Sequence, residues 1–380
     1  MEIAILGYGV VASGAYEVLE KSGYTVKKIL DIRPHPELGN VLTSDFEDIL
    51  KDDEIKIVAE AIGGLEPAHT FAVKALSAGK HFVSSNKHLI CTYYDELHSL
   101  AKKNGVTLRY TSSAGGGIPW LYNLKRTVRC DDVYKISGIM NGTTNFILDA
   151  MISDGREFED VLKEAQSLGY AEANPSADID GLDTARKTAI SSSIAFNTVV
   201  KENDVAVFSM RNIKKCDVDY IVNKLGKTVR YFGCGIRSGD VVSAFTEPVL
   251  LDKGALEANV SKNFNMISLF SDSVGKLSFY GQGAGKYPTG NALAQDIMDI
   301  ANGDLSFDYA PEAKETDNGA CKRKYYIRTA ADIKSDIFDS EELYDGVRYI
   351  MTKETTVLYI HALAEKIYAL CPDSFFAGIE

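Results

Sequence analysis

Glu172, Asp178, Asp180, Asp183 and Lys187 fall within sixteen residues, in the run LGYAEANPSADIDGLDTARK. A segment built only to fill a core would not carry this set. A site that holds a small polar molecule and moves a proton would, because proton transfer needs ionisable groups at fixed positions. Asp183 and Lys187 stand four apart in a helical stretch and therefore share one helix face; the ordinary reading of such a pair is an exposed ion pair. A second lysine, Lys87 in SSNKHLI, follows an apolar run, KHFVSS. In a parallel sheet that strand end opens on the ligand crevice, although a single lysine there is more often a solvated loop residue. Two further segments could face a ligand. Ala114-Gly115-Gly116-Gly117-Ile118-Pro119 removes side chains from a turn, and Asn141-Gly142-Thr143-Thr144-Asn145 places compact donors and acceptors ahead of a helix.

The elements that must position these groups follow from periodicity. EIAIL (2–6) and VKKILD (26–31) are apolar strands separated by a helix-period stretch, and IKIVAEAI (55–62), KHFVSS (80–85) and VTLRYT (106–111) continue the alternation. Strands and helices alternating at this spacing predict an α/β fold with a doubly wound parallel sheet. Gly7-Tyr8-Gly9-Val10-Val11-Ala12 sits after the first strand and opens the first helix, as the dinucleotide fingerprint requires. Gly7 permits the tight turn, Gly9 admits the pyrophosphate, and Ala12 takes the third glycine's place. Asp31 ends the second strand, where a carboxylate accepts ribose hydroxyls and disfavours a 2′-phosphate; Arg33, two residues on, could meet that phosphate. NAD is slightly favoured over NADP on this reading.

After Pro119 the rhythm changes. Helices near 120–129, 145–152, 157–167 and 181–196 mix with strands near 134–140, 228–234, 241–249 and 276–280, an α+β layout. GQGAGKYPTGNALAQDIMDIAN (281–302) is a glycine turn feeding a helix that returns to the first domain. The domains expected are a dinucleotide-binding domain over 1–130 completed by 285–304, a substrate, catalytic and dimerisation domain over 131–284, and a small C-terminal module over 305–380 behind a linker.

Composition bounds the partners. The formal charge of −12 argues against nucleic acid, since phosphate binding needs a basic surface. An apolar fraction of 45% without an eighteen-residue apolar run gives no membrane span, and MEIAILGYG reads as a buried strand and not as a signal peptide. Six cysteines without a CxxC pair point to reduced thiols and a cytoplasmic protein.

Seven stretches together carry a resemblance: GYGVVASG (7–14), EAIGGLEPA (60–68), GKHFVSSNK (79–87), AGGGIP (114–119), GIMNGTTNFIL (138–148), AQSLGYAEANPSADIDGLDTARK (165–187) and GQGAGKYPT (281–289). In this order, and over roughly residues 1–305, the chain resembles homoserine dehydrogenases. The resemblance implies a Rossmann-type domain, NADH or NADPH as hydride donor, and reduction of L-aspartate 4-semialdehyde to L-homoserine in threonine and methionine biosynthesis. It also implies a homodimer or larger homo-oligomer built through the second domain. Carried over by position, Lys187 is the catalytic lysine, Lys87 the lysine beside nicotinamide and substrate, and Glu172 and Asp183 grip the substrate. Asp178, Gly142, Thr143 and Tyr170 line its pocket. Val10, Val11, Ile62, Gly63, Gly169 and Gly285 join Gly7 and Gly9 along the cofactor.

Two positions depart from the family pattern. Thr111 stands where relatives carry a glutamate that helps hold a monovalent cation. Only the backbone carbonyls of Ala114, Gly116 and Ile118 then remain as ligands, so weak or absent Na+ or K+ binding is expected. The tail has a strand, KYYIRTAAD, similar to that of a regulatory ACT domain, but lacks the glycine turn after it and reads as a degenerate version. Rival functions are another nicotinamide-dependent aldehyde or imine reductase, and a nucleotide-sensing regulator without turnover. The intact set Glu172, Asp183 and Lys187 speaks against the second.

Overall fold

The computed structural model describes residues 1–305, 311–312, 314–344 and 346–380. They divide into two compact units, one of Met1–Arg126 with Gly281–Glu312 and one of Thr127–Tyr280 with Ala313–Glu380. Among the described residues no helix is long and apolar enough to cross a membrane.

The first unit is built on six strands: β1 (Glu2–Leu6), β2 (Val26–Leu30), β3 (Leu42–Thr43), β4 (Ile55–Glu60), β5 (His81–Ser84) and β6 (Leu108–Arg109). All pair in parallel, in the order β3-β2-β1-β4-β5-β6. This is the doubly wound order, in which the chain reverses direction across the sheet between β1 and β4. Buried on both faces, β1 and β4 read as near-continuous apolar runs. Ile3, Ile5, Ile57 and Ala59 share a core with Ala12, Ala15 and Leu19 of the Val10–Lys21 helix. Leu293, Ala294, Ile297 and Ile300 of the Lys286–Ala301 helix complete it, so the late helix does belong with this sheet.

The second unit holds the remaining strands: β7 (Val133–Ile139), β8 (Ala206–Val207), β9 (Lys227–Ser238), β10 (Val241–Asp252), β11 (Phe264–Ser271), β12 (Gly275–Gln282), β13 (Glu315–Thr316), β14 (Lys322–Thr329), β15 (Phe338–Tyr344), β16 (Val347–Thr352), β17 (Thr355–Thr356) and β18 (Phe375–Ile379). Nine form one path, β12-β11-β7-β9-β10-β18-β14-β16-β15. Antiparallel pairs dominate, and β10 meets β18 in parallel, with Val249 opposite Gly378.

Through that pairing the tail's sheet continues the catalytic sheet, and residues 314–380 pack with the second unit instead of standing as a separate module. The expected linker falls partly on 306–310, outside the described residues. Two buried ion pairs bind the tail. Arg323 of β14 meets Glu247 of β10 at 2.7 Å, and Arg328 meets Asp217 at 2.8 Å. One tail face, Tyr326 and Phe375, packs on helix residues Ile147, Met151 and Val218; the other, Tyr325, Ile327 and Ile350, packs on the tail's own Val357–Leu370 helix.

Candidate active site

The Leu182–Ala195 helix, LDTARKTAISSSIA, is made of small and polar residues, yet twelve of its fourteen are buried. β9 explains this. Gly233 and Gly235 alternate on the strand face beneath the helix, where a Cβ at Gly233 would fall on Thr188 Oγ1 and one at Gly235 on Ser192 Oγ. Two missing side chains let the helix lie flush on the strand, so residues that look like a surface face become interior.

Lys187 rides on that helix and is 6% exposed. Its Nζ donates to the Met140 carbonyl at 2.7 Å and pairs with Asp183 Oδ2 at 2.8 Å. The i,i+4 pair, ordinarily an exposed one, is buried here. A buried ammonium costs several kcal/mol unless it is paired and hydrogen-bonded, and removing one partner of such a pair costs about 3–5 kcal/mol.

Asn141 ties the cluster together. Its amide nitrogen donates to Asp183 Oδ2 at 2.8 Å and to Asp178 Oδ1 at 2.7 Å. Its side-chain oxygen accepts from the Thr144 amide at 2.9 Å, capping the Gly142–Ser153 helix. Two ionised carboxylates can only accept, so this orientation of the amide is the one that satisfies every partner.

Thr143 Oγ1 donates to the Tyr170 carbonyl at 2.6 Å, and the Tyr170 ring meets Phe146 edge-on. Gly142 runs close to the Asn263 carbonyl oxygen, which a Cβ would approach to 2.6 Å. Asp178, Asp183, Lys187, Gly142, Thr143 and Tyr170 are thus gathered around Asn141. Glu172 is not: it lies on an exposed loop after Gly169, where its carbonyl accepts from Gln166. Among the described residues no ion pair joins its carboxylate to the cluster.

In the first unit, Gly7 turns with φ of +87° at the end of β1, and its Cα faces the Ala61 carbonyl and Ile62 at the end of β4. The glycine turn and the Ile62–Gly63 turn therefore flank the point where strand order reverses. Gly9 leads into the Val10–Lys21 helix without a side-chain cap, leaving first-turn amides of Val10 and Val11 for an anion. Asp31 is 8% exposed, accepts from the Tyr8 amide at 2.7 Å and from Arg33 at 2.9 Å, and is held well below the usual carboxylate range by that guanidinium. Lys87, half-buried, is the first residue of the Lys87–Thr92 helix, whose cap is the Asn86 side chain. Gly285 precedes the Lys286–Ala301 helix, and Lys286 reaches Glu17 of the first helix at 2.8 Å.

Comparison with known proteins matches two successive stretches of the chain. Residues 7–111 match the family model described as homoserine dehydrogenase, NAD binding domain, and residues 119–298 match that described as homoserine dehydrogenase. The homoserine dehydrogenase of Bacillus subtilis is 36% identical over 315 residues, covering 79% of this chain and 72% of that protein. That of Synechocystis is 36% identical over 328 residues, 82% and 76% of the two chains. This chain belongs to the homoserine dehydrogenase family. The crystal structure of a homoserine dehydrogenase from Thiobacillus denitrificans superposes with a TM-score of 0.89 at 30% identity, over 100% of this chain and 98% of that one. An NAD(P)-binding oxidoreductase domain and a catalytic domain of this family are thereby accounted for in sequence and in fold.

The cation site of homoserine dehydrogenases fits these residues poorly. Thr111 is buried and neutral, and its amide donates to Asp296 Oδ2 at 2.8 Å. Burial pushes Asp296 up to about 7, and Arg109, 1% exposed, already supplies positive charge beside it at 3.9 Å. The Ile118 carbonyl accepts from Trp120 at 2.7 Å. With Ala114 and Gly116 offering carbonyls alone, the turn has no charged side-chain ligand at position 111.

The sequence places Asn141 in a polar segment that could face a ligand, but gives it no role as the tie between two carboxylates. The signal was present, as an asparagine in N-cap position ahead of GTTNFIL. Its two aspartate partners, 37 and 42 residues away, have no local signature.

Proposed function

We propose that this chain catalyses the reversible NAD(P)H-dependent reduction of L-aspartate 4-semialdehyde to L-homoserine, a step of threonine and methionine biosynthesis, as a cytoplasmic homodimer or larger homo-oligomer. The observation that carries it is the buried Lys187 ammonium, anchored by Asp183 and the Met140 carbonyl.

The nicotinamide, when bound, supplies the hydride for the aldehyde carbon. The oxygen then gains negative charge, and a preorganised donor in a buried site stabilises it more than it stabilises the neutral carbonyl. Lys187 has three N–H groups, two of which are engaged by Met140 and Asp183. The third hydrogen-bonds the reacting oxygen and passes its proton to the alkoxide; solvent reprotonates the amine. Asn141 holds Asp183 and Asp178 in place, so the ammonium does not swing toward water. Lys87 serves the nicotinamide end of the nucleotide site. Glu172, on its exposed loop, takes the substrate ammonium. Because Arg33 neutralises Asp31, charge at the ribose does not bar a 2′-phosphate, and both NAD and NADP are accepted.

The test is turnover of L-homoserine by the purified chain with each cofactor, set beside other aldehydes in the reverse direction. Reduction of NAD or NADP by homoserine is expected. Cofactor binding without turnover would favour a nucleotide-sensing protein, and faster turnover of another aldehyde would favour a different reductase.

A further inference from the structure

The first unit contains a carboxylate that the reaction does not use. Glu60, at the end of β4, is 0% exposed, and burial raises its pKa. A buried acid costs stability unless its oxygens are satisfied, and here both are. Oε1 accepts from the amides of Ile62 at 2.8 Å and Gly63 at 3.1 Å, and from Asn86 Nδ2 at 3.5 Å. Oε2 accepts from Ser84 Oγ at 2.6 Å.

The partners of Glu60 have a direction. Ser84 Oγ itself accepts from the Asn86 amide at 3.0 Å, and Asn86 Nδ2 donates to the Gly64 carbonyl at 2.6 Å. Asn86 Oδ1 caps the helix that begins at Lys87 by accepting from Leu89. One carboxylate therefore ties the 61–64 turn, which lies against Gly7, to the helix start that carries Lys87. Gly63 and Gly64 hold φ of +83° and +73°, and side chains, Glu60 on the Ile62 and Gly63 amides and Asn86 on the Gly64 carbonyl, anchor this part of the turn.

We propose that Glu60 is a positioning residue that sets the nicotinamide-side turn and Lys87 as one rigid piece, acting through Ser84 and Asn86. It touches neither cofactor nor substrate. The inference rests on the dehydrogenase reading above, so its test must separate cofactor binding from turnover.

In Glu60→Ala the Ile62 and Gly63 amides and the Ser84 hydroxyl lose their partner. Cofactor Kd, read by nucleotide fluorescence, is expected to rise about tenfold or more, with kcat falling and the homoserine KM little changed. Glu60→Gln keeps one acceptor for the two amides and is expected to recover most of the affinity. Ser84→Ala, which removes the donor to Glu60 Oε2 and the acceptor of the Asn86 amide but leaves the Ile62 and Gly63 contacts, is expected to lower kcat more than it weakens cofactor binding. Melting temperatures identify any variant that fails to fold. Should Glu60→Ala not fold, Glu60→Gln and Ser84→Ala decide the matter. Wild-type cofactor Kd and kcat in the folded variants would overturn the proposal. An inactive wild-type enzyme would overturn the dehydrogenase reading and leave the binding measurement standing.

Discussion

The two units fix reacting groups by opposite means. In the nucleotide-binding unit the working surface is main chain: the Gly7–Gly9 turn opens the first helix beside the Ile62–Gly63 turn, whose amides buried Glu60 holds from behind. In the catalytic unit the working surface is side chain, with Lys187 and Asp183 locked by Asn141. A dinucleotide is long and is gripped along its backbone, so many weak main-chain contacts suffice. A reacting carbonyl oxygen is one atom, and it needs one donor held in one place. The first design should degrade gradually under substitution, and the second abruptly.

Replacing Asn141 should break the second design while sparing the first. Asn141→Ala removes both carboxylate contacts and the helix cap; kcat is expected to fall about 100-fold through misplacement of Lys187. Loss of the cap should lower stability by about 1 kcal/mol, read by denaturant unfolding. Cofactor Kd should not move. A kcat within a few-fold of wild type would show that Asp183 and Lys187 hold each other without help.

A milder effect is expected at the cofactor. Arg33→Ala unmasks Asp31, and KM for NADP should rise about tenfold more than KM for NAD, the equivalent of one charge-assisted contact. Equal changes for the two cofactors would remove Arg33 from the 2′-phosphate.

The smallest effect concerns the tail. His361 stacks on Phe208 at 3.8 Å, and burial pushes it down to about 4. A histidine with a depressed folded pKa contributes stability that is complete above its ordinary value near 6.5 and lost as pH falls toward 4. His361→Phe removes that term. Between pH 7 and 5 the wild type should lose on the order of 1–2 kcal/mol more than the variant, with activity at pH 7 unaltered. Parallel pH profiles of stability would show that the tail does not need this histidine neutral.

The same contrast governed what could be read from the chain. Buried parallel strands and glycine turns are local signals, so β1, β2, β4 and β5 and the fingerprint at 7–12 were legible, as was the return of the 286–301 helix. The tail was not. β15, FDSEELY, has an exposed and heavily charged edge and resembles a loop, and β18, FFAGI, is a five-residue strand whose pairing with β10 no local pattern encodes. At the site, the residues of 178–187 could be named from their types, but their burial could not. It depends on Gly233 and Gly235, nearly fifty residues on, which make room for the helix. Glu60 read only as one residue of the apolar run IKIVAEAI (55–62), since its partners at 84 and 86 are distant in sequence.

The most direct measurement is paired binding and turnover in Lys187→Ala. Nucleotide fluorescence should give cofactor Kd values within about twofold of wild type, and kcat for homoserine oxidation should fall by about 10³-fold or more, as loss of a proton donor that also stabilises the alkoxide requires. A folded Lys187→Ala variant that keeps kcat within tenfold of wild type would contradict the account.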